Sequence, residues 1–324
     1  MMKITFKDVG QGDSIIIEWN DETNKIGIID SKKIGNQNPV LEHIKNQNYK
    51  EIEFVVLSHP HTDHYSGLAE IFKYCYLNSI LIKKFCYTIY DIGIEYHAYF
   101  EPNITNSKAL IEVFELAEQL YNNGMEFIQL NFDYKIELTN EAYLQCLSPS
   151  RLEKVEYLKI LDFEPETNRM KRSKAANLLS TLFKLKVEDK YILFTSDVEK
   201  LTFERMRDRH PEIFQDAINV LCQIPHHGSL NNHEPIFWNS IIRNDSSKAI
   251  ISAGRHKSYN HPDFSVIRDF TDIGYAVDCT NVINGMETYV ELLKSKSLVL
   301  DTGSTIAEEY YCTGDKEFEF YGSA

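Results

Sequence analysis

A chain of 324 residues that is 43% hydrophobic and 25% charged has the make-up of a soluble globular protein with ample material for a core. Its formal net charge of -14 argues against sequence-independent coating of nucleic acid, because an acidic surface repels phosphates unless a local basic patch overrides it. The six cysteines form no C-x-x-C pair, which argues against a zinc ribbon or a thioredoxin-like site; no leader pattern or run of 18 apolar residues is visible, so the expected location is cytoplasmic, with no membrane partner.

In chain order, residues 4–6 and 14–18 read as strands joined by the turn Gly10-Gln11-Gly12-Asp13, and residues 25–30 as a third strand ending on the carboxylate of Asp30. Residues 40–46 read as a helix. Residues 54–57 (Phe-Val-Val-Leu) form a short continuous apolar run, the pattern of a strand buried on both faces, and they deliver the chain to His59. Helices are expected at 67–76 and 107–122, the second with Ser107 as its N-cap and Gly124 just past its end. Residues 86–106 read as irregular and aromatic, and 154–173 as a highly charged, exposed helix or loop. Residues 180–197 then repeat the order of 14–30: apolar strand, charged turn, apolar strand, Asp. That echo suggests a duplicated sheet unit, although hairpins are common enough to coincide by chance. Strands follow at 220–224 and 249–252, then a loop carrying Tyr259-Asn260-His261-Pro262 and a helix at 264–270.

Five of the 11 histidines sit in two short clusters. His59, His61, Asp63 and His64 occupy positions i, i+2, i+4 and i+5. No single helix or strand face carries that spacing; a loop does, and Pro60 stiffens it. Imidazole and carboxylate together suit zinc, manganese or iron.

This HxHxDH run after a buried strand resembles the signature of the metallo-β-lactamase superfamily. The resemblance implies an α/β fold, a four-layer αββα sandwich with internal duplication, and two divalent metal ions, zinc first and manganese second. Carried over residue by residue, it implies His59 and His61 on metal 1, Asp63 and His64 on metal 2, Asp197 bridging both, and His226 or His227 completing metal 2. Further marks are similar to the soluble hydrolase domain of the ComEC family of DNA-uptake channels. They are residues 8–14, Asn177 with Ser180, Pro225-His226-His227-Gly228-Ser229, the Tyr259–Pro262 loop and residues 274–280. The membrane segments of that family are absent.

One position departs. A third histidine for metal 1 would fall at Asn177, where two readings stand. The amide is a poor ligand, leaving metal 1 weak, exchangeable or manganese-preferring, or Asn177 simply caps a turn. Asp30 and Asp13 are expected to orient metal-ligating histidines. Asp63, His226, His227 and His261 are the candidate catalytic groups. Of the His226-His227 pair, one is expected on a metal and the other as a proton donor, and His261 is a substrate contact or general acid, or else a surface residue.

The resemblance implies a metal-dependent hydrolase, with two metals polarising a phosphoryl oxygen and lowering the pKa of a water. The preferred substrate is a phosphodiester in nucleic acid, single strands included, or in nucleotides. One alternative is a small phosphodiester such as a phosphorylcholine ester or a cyclic nucleotide, which the acidic charge favours. Another is a gated or inactive metal-binding component of a larger bacterial assembly, with a protein partner docked on the C-terminal extension. A basic groove near Lys171, Arg172, Lys174, Arg255 and Lys257 would favour the polymer. Tyr87, Tyr90, Tyr96 and Tyr99 read as packing rather than a wall for stacked bases. Residues 1–284 are expected to form the hydrolase domain, and 285–324 a strand-rich extension packed on it.

Overall fold

The computed structural model describes residues 1–89, 100, 101, 103–160, 169–254, 256, 261–281 and 313–320. The first half opens with strands β1 (Met2–Phe6), β2 (Ile15–Asp21) and β3 (Thr23–Ile29), then helix α1 (Pro39–Gln47), β4 (Glu51–Ile52) and β5 (Phe54–Leu57). Helices α2 (Thr62–Tyr65) and α3 (Leu68–Leu77) follow, then β6 (Leu81–Ile82), β7 (Lys84–Tyr87), α4 (Ile104–Tyr121) and β8 (Glu126–Gln129). The second half begins with β9 (Lys135–Thr139), β10 (Ala142–Ser148), α5 (Arg151–Ile160), α6 (Arg169–Ala175), β11 (Leu182–Val187) and β12 (Lys190–Phe194). It continues with α7 (Lys200–Arg209), β13 (Ile218–Gln223), α8 (Pro235–Ser240), β14 (Arg243–Ile251), α9 (Phe264–Asp272) and β15 (Ala276–Cys279), and β16 (Lys316–Phe320) returns to the first half.

The strands form two seven-stranded sheets, ordered β16-β1-β2-β3-β5-β7-β8 and β9-β10-β11-β12-β13-β14-β15, with β4 and β6 as a separate pair. Read in those directions, both sheets make three antiparallel pairings and then three parallel ones. The hairpins β2–β3 and β11–β12 hold the same two places in each sheet. The echo in the sequence is therefore a duplication of architecture.

Side-chain alternation sorts the core into three apolar interfaces, and hence four layers. In β5, Val55 and Leu57 join the helices α1, α3 and α4, while Phe54 and Val56 face the second sheet. In β12, Ile192 and Phe194 face the first sheet, while Tyr191 and Leu193 pack under α7, α8 and α9. Continuous apolar strands such as β5 are what a parallel centre covered on both faces requires.

Gly27 in β3 makes room for the Phe54 ring of the neighbouring strand β5 in the same sheet. A Cβ there would lie 2.1 Å from Cζ of the Phe54 ring, which is wholly buried and stacks on Trp19. Gly27→Ala is expected to destabilise the protein by about 3 kcal/mol, the upper part of the overpacking range. Denaturant unfolding checks this; a loss under about 1 kcal/mol would mean that the ring has room to move.

Two local expectations are corrected. Helix α4 starts at Ile104 and is capped by Asn103, whose side chain accepts from the Thr105 amide at 2.7 Å; Ser107 lies within the first turn and donates its hydroxyl back to Asn103 O. Asn caps as well as Ser, and the earlier residue wins. The charged region 154–173 is not a fully solvated face, because α5 buries Tyr157 and is anchored by the buried Glu153, which accepts from Arg205 Nε at 2.6 Å. Tyr87 is buried in the helix-facing core of the first sheet, whereas Tyr90, Tyr96 and Tyr99 lie outside the described residues, as does most of the extension expected from residue 285. Its strand β16 pairs antiparallel with β1, Phe318 opposite Ile4, at the edge of the first sheet. Among the described residues, no helix is long and apolar enough to cross a membrane.

Candidate metal centre

The duplicated topology brings chemistry to one end of the molecule. Asp30 directly follows β3, and Asp197 follows β12 by three residues. The next strands over, β5 and β13, run parallel to them, and each is followed closely by histidines: residues 59–64, which a loop was expected to carry throughout but whose last three enter the short helix α2, and residues 226–227. Ligand sites in such sheets lie beyond the carboxyl ends of parallel strands. The second loop is strained: His226 and His227 have φ of 48° and 55°, the left-handed region that non-glycine residues rarely occupy. The His226 amide donates to Ser196 O at 2.9 Å, which pins the loop to the Asp197 turn. Strain of this kind persists where surrounding structure enforces it, typically at functional sites.

Hydrogen bonds fix the tautomers of four imidazoles. His64 Nδ1 lies 2.7 Å from Asp30 Oδ2, His61 Nε2 lies 2.8 Å from Ser173 O, and His227 Nδ1 lies 2.6 Å from Ser252 O. Each of these partners only accepts, so each of these nitrogens donates. Ser58 gives its hydroxyl proton to Asp30 Oδ2 at 2.5 Å, and Ser196 gives its own to Ser58 Oγ at 2.8 Å. Both hydroxyls can therefore only accept from His59 Nδ1, which lies 3.2 and 3.3 Å from them. The remaining nitrogens, Nε2 of His59, Nδ1 of His61, and Nε2 of His64 and His227, are left as lone pairs. Those of His59 and His61 face each other at 2.9 Å, a repulsive arrangement unless a cation lies between them.

The lone pairs gather around Asp197, which is 3% exposed. Its Oδ2 lies 3.7 Å from His59 Nε2 and 3.4 Å from His226 Nε2; its Oδ1 lies 3.6 Å from His64 Nε2 and 3.5 Å from His227 Nε2. Asp63 Oδ2 stands 3.5 Å from His227 Nε2 on that second side. Asp197 Oδ1, His64 Nε2 and His227 Nε2 are buried without a hydrogen-bond partner. Buried polar atoms without partners are costly, and a cation removes that cost. The donor atoms of His59, His64 and Asp197 lie within 4.8 Å of one another, as do those of Asp63, His64 and His227. The residues fit divalent metal on both sides of the Asp197 carboxylate. Asp63 and His226, with side chains 33% and 25% exposed, form the open face.

The electrostatics agree. Burial opposes charge on Asp197, but His226, His227 and His64 hold it well below the usual carboxylate range; Asp63 is likewise held low, against burial, by His64 and His227. Burial would also lower His64 and His227, yet the carboxylates raise the first well above its ordinary value and the second to about 9. His59 is pushed well below its ordinary value by burial and by His64 and His61. Without metal, protons take the positions that the carboxylates demand for positive charge.

Two seven-stranded sheets face to face, helices outside, and this cluster at one end form a recognisable whole. The fold is that of the metallo-β-lactamases. No protein-family model and no curated protein matches the sequence. Solved structures similar to the chain include Zn(2+)-bound PqqB from Methylobacterium extorquens, 11% identical over 86% of this chain and 98% of its own, with a TM-score of 0.47. The metallo-β-lactamase-fold protein YhfI from Bacillus subtilis is 8% identical over 86% of this chain and 96% of its own, with a TM-score of 0.45. A diphosphatase of the PhnP family is 12% identical over 78% of this chain and 88% of its own, with a TM-score of 0.40.

The structure brings His59, His61, Asp63, His64, Asp197, His226 and His227 together, with Asp30 beneath His64 as its hydrogen-bond acceptor. Asn177 is 6% exposed in the 3-10 turn before β11, and its Oδ1 is buried with no partner, so that oxygen does not cap the turn. The His261 ring lies 5.8 Å from that of His226, and burial, then His226 and His227, lower its pKa to about 4. It is neutral near pH 7, which suits a substrate contact better than a general acid. Sequence reasoning missed Ser58, Ser196, Glu199, Gln223 and Lys32. The available signal was position: Ser58 and Ser196 immediately precede His59 and Asp197.

Proposed function

We propose that this protein is a two-metal phosphodiesterase. The observation that carries the reading is the pair of donor sets sharing one carboxylate. His59, His61, His226 and Asp197 Oδ2 would hold one metal, and Asp63, His64, His227 and Asp197 Oδ1 the other. When bound, the pair of dications supplies Lewis acidity and lowers the pKa of water. The chain supplies the rest. Asp197 sets the separation of the two sites. Asp30, directly at His64 and through Ser58 at His59, holds ligands of both half-sites in the tautomer that ligates. Asp63 and His226 face the approaching substrate, and His261 offers a neutral imidazole as a hydrogen-bonding contact to it.

Positive charge near this mouth favours an anionic substrate. The stem of Lys32 lies over Gly12 and its ammonium donates to Gln11 O; burial lowers its pKa, and the carboxylates of Asp63 and Asp13 oppose that shift. Lys171 and Lys174 are exposed on α6, the helix whose Ser173 carbonyl accepts from His61. The side chain of Arg172, and Arg255 and Lys257, lie outside the described residues. Local cations on an acidic protein concentrate phosphate esters at one place. The preferred substrates are nucleotides or single-stranded nucleic acid; the net charge of -14 supports a small phosphodiester as the second reading.

The test is a panel of single-stranded DNA, RNA, a cyclic nucleotide, a phosphorylcholine ester and bis(p-nitrophenyl) phosphate, each with manganese or zinc. Cleavage of at least one phosphodiester is expected. Failure on the whole panel by protein with metal demonstrably bound would rule the reading out. Steep weakening of polymer binding with salt would favour nucleic acid over the small ester.

A further inference from the structure

We propose that Asp13 is a direct ligand of the second half-site, and that this half-site takes a harder dication than the first. This rests on the two-metal reading above. Asp13 ends the Gly10–Asp13 turn, and its amide donates to Asp63 O at 3.0 Å, so its backbone is tied to the metal loop. Gly12 makes that approach possible: a Cβ there, at φ 141°, would fall 2.5 Å from Asp63 O.

The carboxylate is 1% exposed. Its Oδ2 accepts from Gln223 Nε2 at 2.8 Å. That amide cannot turn round, because Gln223 Oε1 accepts from the Thr195 and Ser196 amides at 2.9 and 3.0 Å. Asp13 Oδ1 is buried with no partner, as are His227 Nε2 and Asp197 Oδ1. One oxygen of Asp13, one of Asp197 and a nitrogen of His227 lie within 4.8 Å of one another. Two donors on one cation lie at most about 4.4 Å apart, so a small contraction suffices. Orienting a metal-ligating histidine, the role expected from sequence, does not account for Asp13 at His64. His64 Nδ1 is 3.7 Å from Asp13 Oδ2 and already spends its proton on Asp30 at 2.7 Å.

With Asp13 included, the second half-site has three carboxylates (Asp13, Asp63 and Asp197) and two imidazoles. The first has three imidazoles and one carboxylate oxygen. Imidazole-rich sets suit zinc, and oxygen-rich sets suit manganese.

The experiment strips the full chain with chelator and titrates it with Mn2+, followed by electron paramagnetic resonance, and with Zn2+, followed by competition with a chromophoric chelator. Native protein and Asp13→Asn are compared. The variant is expected to weaken manganese at its tighter site by about 30-fold or more and zinc at its tighter site by no more than about 3-fold. Equal weakening of both metals means that Asp13 only positions other ligands, and this outcome, like no change in either, overturns the proposal. Should the variant fail to fold, a crystal of the native chain soaked in manganese decides. An Asp13 oxygen about 2.2 Å from the cation supports the proposal, and one beyond about 3 Å overturns it. Native protein that binds no dication would sink the two-metal reading itself; two bound dications without Asp13 among their ligands would sink only this proposal.

Discussion

Asp197→Asn is expected to leave the protein unable to retain either metal and to lower hydrolysis by about 1,000-fold or more. The reason is that the two half-sites meet on this single side chain, with Oδ2 toward His59 and His226 and Oδ1 toward His64 and His227. The amide keeps the shape but loses the charge, and its NH2 group presents protons where a lone pair is needed. The fold should survive, since the sheets are held together by three apolar interfaces that the substitution does not touch. The contrast with the histidine pair makes the prediction specific. His226→Ala is expected to lose the metal shared with His59 and His61, and His227→Ala the one shared with Asp63 and His64, each retaining about one metal per chain by elemental analysis. Two metals per chain in Asp197→Asn would remove the shared carboxylate from the account.

Stripping the metals is expected to make stability fall with rising pH. The His227 pKa is raised to about 9, the causes being burial, which opposes the shift, and then Asp197 and Asp63, which outweigh it. A group raised in the folded state stabilises fully below its unfolded value of about 6.5 and loses that contribution as pH rises through the folded value. His64 is raised in the same direction. Asp63 and Asp197 are held low, so their stabilisation is complete above the ordinary carboxylate range and is lost only in acid. His59, also held low, contributes nothing once pH exceeds its unfolded value. Across the window between pH 6.5 and 9 both His64 and His227 give up stabilisation, with His227 alone worth on the order of 3 kcal/mol. Thermal melts of stripped protein should drop by about 6 °C or more across it. Metal-loaded protein should stay nearly flat, because bound cations replace those protons. Parallel profiles for the two forms would contradict this.

The metal motif was legible because its residues are contiguous and their spacing suits no regular element. Asp30 and Asp197 were legible because each follows an apolar strand, and the duplication because each belongs to a hairpin. The supporting contacts were not. Gln223 reaches Asp13 across 210 positions, and nothing at the end of an apolar strand distinguishes a clamp from an ordinary polar residue. Which imidazole of the pair serves which half-site depends on two consecutive left-handed residues, a conformation that sequence does not announce for histidine. The charged region after Ser150 misled in part because Glu153 and Arg205 neutralise each other in the interior, a pairing only tertiary structure provides. The start of α4 was misplaced because Asn103 and Ser107 are both acceptable caps four residues apart.

The matching order of strands in the two sheets has a mechanical consequence. One half provides the segment after β5 and the other the turns after β12 and β13, so any cation held here would rivet the halves together. Opening the seam between the sheets would then release metal, and filling the centre would close the seam. Slow leakage of metal from folded protein would consequently report how often the two halves breathe apart.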